Sequence, residues 1–280
     1  GRIWRIAPEG FKPAKLPDFS TFTAAQLAEE LLSANQMRRL MAQRLIVQSG
    51  LKDAVKPIRE CLKNAKGKSG HANLLWTPHG LDELAEEDVI PAIADPAAGM
   101  REQALRLLER FFGGRTLAEI HAGRLLADSE QRVRMQMAMS AGEMPVATAA
   151  GFLAAILKKD GSDPWILTAA LSSAAKCGLP LIEAMIDHKG SEPVLVKLAA
   201  MTGAKGDQAE IVRVLSLVAE GKGGAALLDG LGQGMRNGRS PLASWWKEPP
   251  PAAVMVMTKL RDRFTASAGI VKDESKPDAE

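Results

Sequence analysis

Apolar positions along the chain recur every three or four residues almost throughout, in short stripes separated by Gly, Asn, Asp and Pro. Thr23 with Gln26 three residues later has the form of a capping box, ahead of Leu27, Leu31 and Leu32. Further stripes follow at Met37, Leu40, Met41 and Leu45, then at Met100, Ala104, Leu107, Leu108 and Phe111. Two more lie at Ile166, Ala169, Ala170 and Ser173, and at Ile211, Val214, Leu215 and Val218. Each predicts one apolar face of a short helix. Breaks fall at Gly50, Gly67, Asp95-Pro96, Gly113-Gly114, Gly142, Asp163-Pro164, Gly178, Gly203 and residues 221–224.

The stripes repeat. Aligning the start of every second helix on an R-x-x-A-like pattern pairs Arg39 with Ala42, His71 with Leu74, Arg101 with Ala104, Arg134 with Met137 and Leu167 with Ala170. Fainter copies follow at Val196 with Ala199 and at Gly224 with Leu227. Successive first positions among the five clear copies are 32, 30, 33 and 33 residues apart. The partner helices are predicted over residues 24–33, 53–63, 83–94, 116–127, 147–158, 179–187 and 207–220. Two helices per period predict an all-α solenoid of about seven helix pairs over residues 23–240, each pair covering the apolar face of the next. The competing architecture is a compact, irregular helical domain.

Outside the repeats the pattern changes. Residues 1–6 alternate, which predicts a strand, and a lone strand needs a sheet to join; residues 1–10 therefore read as the terminal strand of an upstream domain. Residues 11–22 read as a Pro- and Lys-containing linker, 241–270 as a capping segment and last helix, and 271–280 as a charged, disordered tail. Trp245-Trp246 sit where the repeats stop, placed either to cap the exposed apolar end or to anchor a partner.

Composition agrees with the helical pattern. Hydrophobic residues make up 46% of the chain, while five Trp, seven Phe and no Tyr leave it short of the aromatics that strands favour. A formal charge of +3 excludes a simple polybasic binder, but the charge is uneven. Nine basic residues against Asp53 and Glu60 fill residues 38–68, whereas six acidic and no basic residues fill residues 82–95. Neighbouring repeats that neutralise one another account for this, and a docking face using Arg38, Lys52, Lys56 and Arg59 is the functional alternative. Nucleic acid is disfavoured, because the basic stretch has no aromatic on which bases would stack.

Candidate chemistry is sparse. His71, His79, His121 and His188 are scattered, no HExxH occurs, and no metal site is expected. Cys61 and Cys177 belong to no CxxC or CxxCH and read as small buried hydrophobes. The glycines at 221, 223, 224, 230, 232 and 234 lack the Lys-Ser/Thr and preceding strand of a phosphate loop, so they read as small residues for close helix packing. The twelve methionines fall mostly on apolar stripes and read as core, and no nucleophile–base pair is defensible from spacing. No run of about 20 apolar residues is present to cross a bilayer.

Residues 95–107 and the stretch DSEQRVRMQMAMSAG from residue 128 resemble HEAT repeats. The resemblance implies that the turn residue and the second-helix arginine connect neighbouring repeats, making Asn35, Arg39, Asp95, Arg101, Asp128 and Arg134 structural ladder residues. GRIWRIAPEGF, TAAQLAEELLSANQMRRLMAQRLI, NLLWTPHGL, DPAAGMREQALRLLE and DPWILTAALSS together look like the HEAT-repeat region of the large secreted dehydrogenase-like proteins of planctomycetes and verrucomicrobia. In that family a sugar-dehydrogenase-like β-propeller precedes the solenoid and a CxxCH cytochrome c module follows it. This resemblance implies an exported or periplasmic parent, with residues 1–6 as the last propeller strand and haem c in a domain beyond this chain.

The expectation drawn from all of this is a non-catalytic scaffold binding a protein, or adjacent domains of its own polypeptide, through second-helix residues, with no cofactor held by this chain. The alternative is a spacer within an exported sugar-dehydrogenase-like oxidoreductase carrying a c-type cytochrome. A weaker likeness, to the HEAT-like alkylpurine glycosylases that bind DNA, rests on charge alone.

Overall fold

In the computed structural model, residues 4, 6–12, 17–113, 117–236 and 241–271 are described. The described residues are helical, with no strand among them. The chain divides into two compact units, Gly1–Asp88 and Val89–Glu280.

In the first unit, α1 (Ala24–Glu30) pairs with α2 (Gln36–Gln48) and α3 (Val55–Leu62) with α4 (His71–Gly80). The Thr23 capping box is present: the Thr23 N–H donates to Gln26 Oε1 at 2.9 Å, and the Gln26 N–H to Thr23 Oγ1 at 3.3 Å. It satisfies two of the amide donors that every helix start leaves free. Leu27, Ala28, Leu31, Ala42, Ile46, Val55, Ile58 and Leu74 close the core of this unit. The α2 stripe is therefore placed differently from the sequence expectation. Ala42 and Ile46 are fully buried, while Met37, Leu40 and Met41 face solvent.

α5 (Glu86–Val89) runs into a 3-10 turn at Ile90–Ala94 and on to α6 (Ala98–Leu108). In the second unit follow α7 (Leu117–Ala122), α8 (Gln131–Ser140), α9 (Val146–Asp160), α10 (Pro164–Ser173), α11 (Gly178–Met185), α12 (Glu192–Lys205), α13 (Gln208–Ala219) and α14 (Gly224–Met235). The second helices α6, α8, α10, α12 and α14 pack each on the next, with α9 and α11 packing together on the other side, so this unit is a solenoid-like row of helix pairs. Both helices of all seven expected pairs are present among the described residues. Ala104, Leu107, Leu108, Ile166, Ala170, Val214 and Leu215 are buried as their stripes require.

At the end of the row the packing changes character. A Cβ on Gly230 would come within 2.2 Å of the Val196 carbonyl oxygen, and one on Gly234 within 2.0 Å of that of Ala200. Only glycine at these two positions lets α14 approach the backbone of α12 so closely. Gly230 and Gly234 thus act as the packing residues expected of this glycine-rich stretch, whereas Gly224 and Gly232 face open space. Finally α15 (Leu242–Lys247) packs on α14, and α16 (Val254–Val271) lies along α13.

The expected N-terminal strand is not formed among the described residues. Trp4 and Ile6 lie in exposed, irregular backbone with no neighbouring strand to satisfy their amides, and residues 1–3 and 5 fall outside the described set. Of the expected linker, residues 13–16 also lie outside it, as do residues 272–280 of the expected tail.

Candidate functional site

Arg101, Arg134 and Arg39 occupy equivalent places near the start of α6, α8 and α2, and each braces the turn before its own helix. Arg101 Nη1 donates to the carbonyls of Asp95 and Pro96 at 2.9 and 3.2 Å, and Arg134 Nη1 to those of Asp128 and Ser129 at 2.6 and 3.2 Å. Arg39 Nη1 does the same to Ser33 and Ala34, at 2.7 and 3.1 Å. A guanidinium suits this because its planar fork of donors serves several acceptors at once.

The rest of the fork reaches the next repeat. Arg101 Nε and Nη2 donate to the Asp128 carboxylate at 2.7 and 2.8 Å. Arg134 Nε and Nη2 donate to Asp160 at 2.6 and 2.7 Å. These four side chains are largely shielded, between 6 and 12% exposed, where bidentate pairing is stronger than at an open surface. Burial pushes the Asp128 carboxyl upward, but hydrogen bonds from Arg101 and the Glu130 amide outweigh it and hold the group below the usual carboxylate range. The Asp160 carboxyl is also lowered, chiefly by Arg134.

The second step of the ladder uses a different kind of residue from the first. Asp163, the turn residue of the next repeat, caps α10 through the Trp165 and Ile166 amides and accepts from Gln131 Nε2 at 2.9 Å. Its place as partner to Arg134 is taken by Asp160, at the end of α9. Asp95 and Asn35 are turn and cap residues, accepting from the Ala97 and Met37 amides. Among the described residues Arg39 has no carboxylate on its fork, and its buried Nε lacks a hydrogen-bond partner.

A second series of polar links shows the same period. Arg132 Nε and Nη2 pair with Glu102, Arg106 Nε donates to Gln136 Oε1 at 2.9 Å, and Ser140 Oγ donates to Glu109 Oε1 at 2.5 Å. Asn73 donates to Gln43 at 2.7 Å and Arg213 to Glu183 at 2.8 Å. Because Gln131 is tied to Asp163 and Ser173 donates to the Met139 carbonyl, the two ends of α8 match the two ends of α10, and the helices run parallel. Parallel second helices are the signature of one unit translated along a stack.

Part of the charge asymmetry is neutralised within the first unit. Arg59 spans both oxygens of Asp88 at 3.1 Å and the Glu83 carbonyl at 3.0 Å, Lys52 pairs with Glu83, and Arg38 Nε donates to Glu30 at 2.7 Å. Three of the four basic docking candidates therefore hold carboxylates of their own unit, leaving exposed Lys56 without an ion pair among the described residues. Trp245 is 5% exposed on α15, whereas the ring of Trp246 stands edge-on to Phe264, with centroids 5.5 Å apart. Trp245 therefore belongs to the end cap and Trp246 to the surface. Cys177 is buried and Cys61 half-buried, and burial raises both thiols.

No family model matches the chain, and no curated protein matches it.

Polar groups at the joints are thus largely spent on the fold, and the groups left over are the outward faces of the second helices. Trp165, 71% exposed, shares one face of α10 with exposed Thr168 and Ser172, and the neighbouring α8 presents Met139 beside Gln131 and Arg132, which are exposed but already paired. The repeat pattern contained Trp165 but not its exposure. Asp160, Glu102 and Arg132 escaped because they lie off the turn-and-arginine pattern; complementary polar pairs spaced by one period would have found Glu102 with Arg132. Among the described residues, no group of three or more His, Cys, Asp or Glu is placed to hold a metal ion. No helix there is long and apolar enough to cross a membrane.

Proposed function

We propose that this chain is a HEAT-like helical-repeat scaffold that presents the outward faces of its second helices, centred on α8 and α10, to a protein partner. The observation that carries this reading is the contrast between the joints and the face. Arg101, Asp128, Arg134 and Asp160 are consumed in linking repeats, while Trp165, a residue type that dominates interface energetics, is left 71% exposed on a helix packed against both α8 and α12. A rigid helix surface loses little conformational freedom on association, which favours recognition over chemistry. The likeness to the repeat region of exported dehydrogenase-like proteins supports the same assignment, since a spacer between modules must also hold its geometry and bind its neighbours.

The test is photo-crosslinking in the source cell, with a benzophenone side chain at Trp165 compared with the same group at Lys158, an exposed residue on the first-helix side. A discrete protein adduct at position 165 and none at 158 is expected. Equal labelling at both positions, or none at 165, removes the proposal.

A further inference from the structure

Where the repeats end, α13, α14, α15 and α16 leave two apolar grooves that share Leu228 and Phe264. One, of about 330 Å³, runs between Val218, Ala225 and Leu260; the other, of about 440 Å³, runs between Leu215, Leu242 and Met257 with Trp246 at its side. Both fall within the size range of small-molecule sites. The charged lining of each is a single cation, Arg263 in the first and Lys247 in the second.

Arg263 is placed rather than merely nearby. Its Nη1 donates to the Ala219 carbonyl at 3.3 Å. The guanidinium lies over Gly221, where a Cβ would come within 2.9 Å of Nη1 and where φ is +89°. Neither Arg263 nor Lys247 is in an ion pair among the described residues. The acids of this region are otherwise engaged or outside the grooves: Glu220 faces Arg213 and Lys222, Asp229 accepts from Gln233, and Asp262 and Glu248 line neither groove. A further groove between α13 and α16 differs, because Arg213, Glu220 and Lys259 line it together and offer both signs of charge.

We infer that these neighbouring grooves bind a single-chain anionic amphiphile, with its carboxylate on the Arg263 guanidinium and its hydrocarbon tail across the shared Leu228 and Phe264 toward Trp246. A guanidinium outside any ion pair offers a carboxylate a charge-assisted, two-pronged hydrogen bond, and Leu228 and Phe264, which line both grooves, offer an apolar surface to a flexible alkyl chain. A neutral ligand would gain nothing from the exposed cation, and a hydrophilic anion would leave the apolar lining wet.

The experiment is isothermal titration of the full chain with dodecanoate below its micellar concentration, in parallel with dodecyltrimethylammonium and with a soluble acidic amphipathic peptide. Saturable, stoichiometric binding of dodecanoate is expected, with a change in tryptophan emission that is lost in Trp246→Phe. Arg263→Gln, an exposed substitution that should leave the thermal transition in place, is expected to weaken dodecanoate about tenfold. Phe264→Ala should weaken it independently through the tail. No saturable binding, equal binding of the cationic amphiphile, or unchanged affinity in Arg263→Gln would overturn the inference. So would saturation by the peptide in the absence of dodecanoate binding, since the groove would then be a protein-docking surface.

Discussion

The joint between α8 and its neighbours and the joint between α12 and α14 solve one problem with opposite chemistry. Around α8, Arg134, Asp160, Arg132, Glu102 and Gln131 join the repeats through side-chain hydrogen bonds and ion pairs. Between α12 and α14, Gly230 and Gly234 bring one backbone against another, and no polar strut is needed. The first kind of joint tolerates drift in helix spacing but depends on ionisation. The second is indifferent to charge and intolerant of a single methyl group. A repeat can thus keep its period while losing its motif, which is why the later copies look faint in the sequence yet pack in register.

The comparison breaks most readily at the glycines. Gly230→Ala combined with Gly234→Ala should destabilise the second unit by about 3 kcal/mol or more, because the added methyls meet backbone that cannot yield as a side chain can. The loss, read by urea unfolding, should be the same in low and high salt; strong salt dependence would mean the joint is not steric. Arg134→Ala should cost about 3 kcal/mol by stranding Asp160 beside a largely buried joint, whereas Arg134→Met, which keeps the stem, should cost less.

Acid should divide the two joints in the same way. Asp128 and Asp160 have folded-state carboxyls below their unfolded values, so the stability they add is present above about pH 4 and is lost as pH falls through the depressed folded values. Hydrogen exchange should therefore show amides of α6 and α8 losing protection on acidification before those of α12 and α14. Simultaneous loss would argue against a charged joint.

Two smaller effects sharpen the picture. Among the described residues Arg39 lacks the carboxylate that its counterparts take from 27 and 26 residues further along the chain. Lys66→Asp supplies one at the corresponding spacing and should raise the stability of the first unit by about 1 kcal/mol. No gain would show that the equivalent turn there does not reach Arg39. Glu109 has the opposite sign to the ladder acids: its carboxyl is raised, chiefly by burial, so the native state holds the proton more tightly and stability falls as pH climbs past the unfolded value near 4.3. Glu109→Gln keeps an acceptor for Ser140 and should gain about 0.5 kcal/mol at neutral pH. A loss would show that the carboxylate itself is needed.

What the sequence revealed follows from which interactions are periodic. Helix pairs, their turns and the Thr23 cap were legible because each repeats a local rule of spacing or capping. The face of α2 was not: Met37, Leu40 and Met41 outweigh Ala42 and Ile46 in hydrophobicity, but the smaller pair fits the close contact with neighbouring helices, and periodicity alone does not say which side is covered. Asp160 was hidden because a strut depends on where a carboxylate arrives in space, and the end of α9 reaches Arg134 while the turn residue Asp163 is drawn into capping. The exposure of Trp165 and the lack of an ion pair at Arg263 among the described residues are likewise products of three-dimensional placement.

If side-chain struts couple successive repeats, a double-mutant cycle on Arg134 and Asp160 reads that coupling. Arg134→Ala, Asp160→Ala and the double variant would be compared by equilibrium urea unfolding. The account predicts that the double variant is more stable than the sum of the single losses allows, with a coupling energy of at least about 1 kcal/mol; additivity within about 0.5 kcal/mol would contradict it.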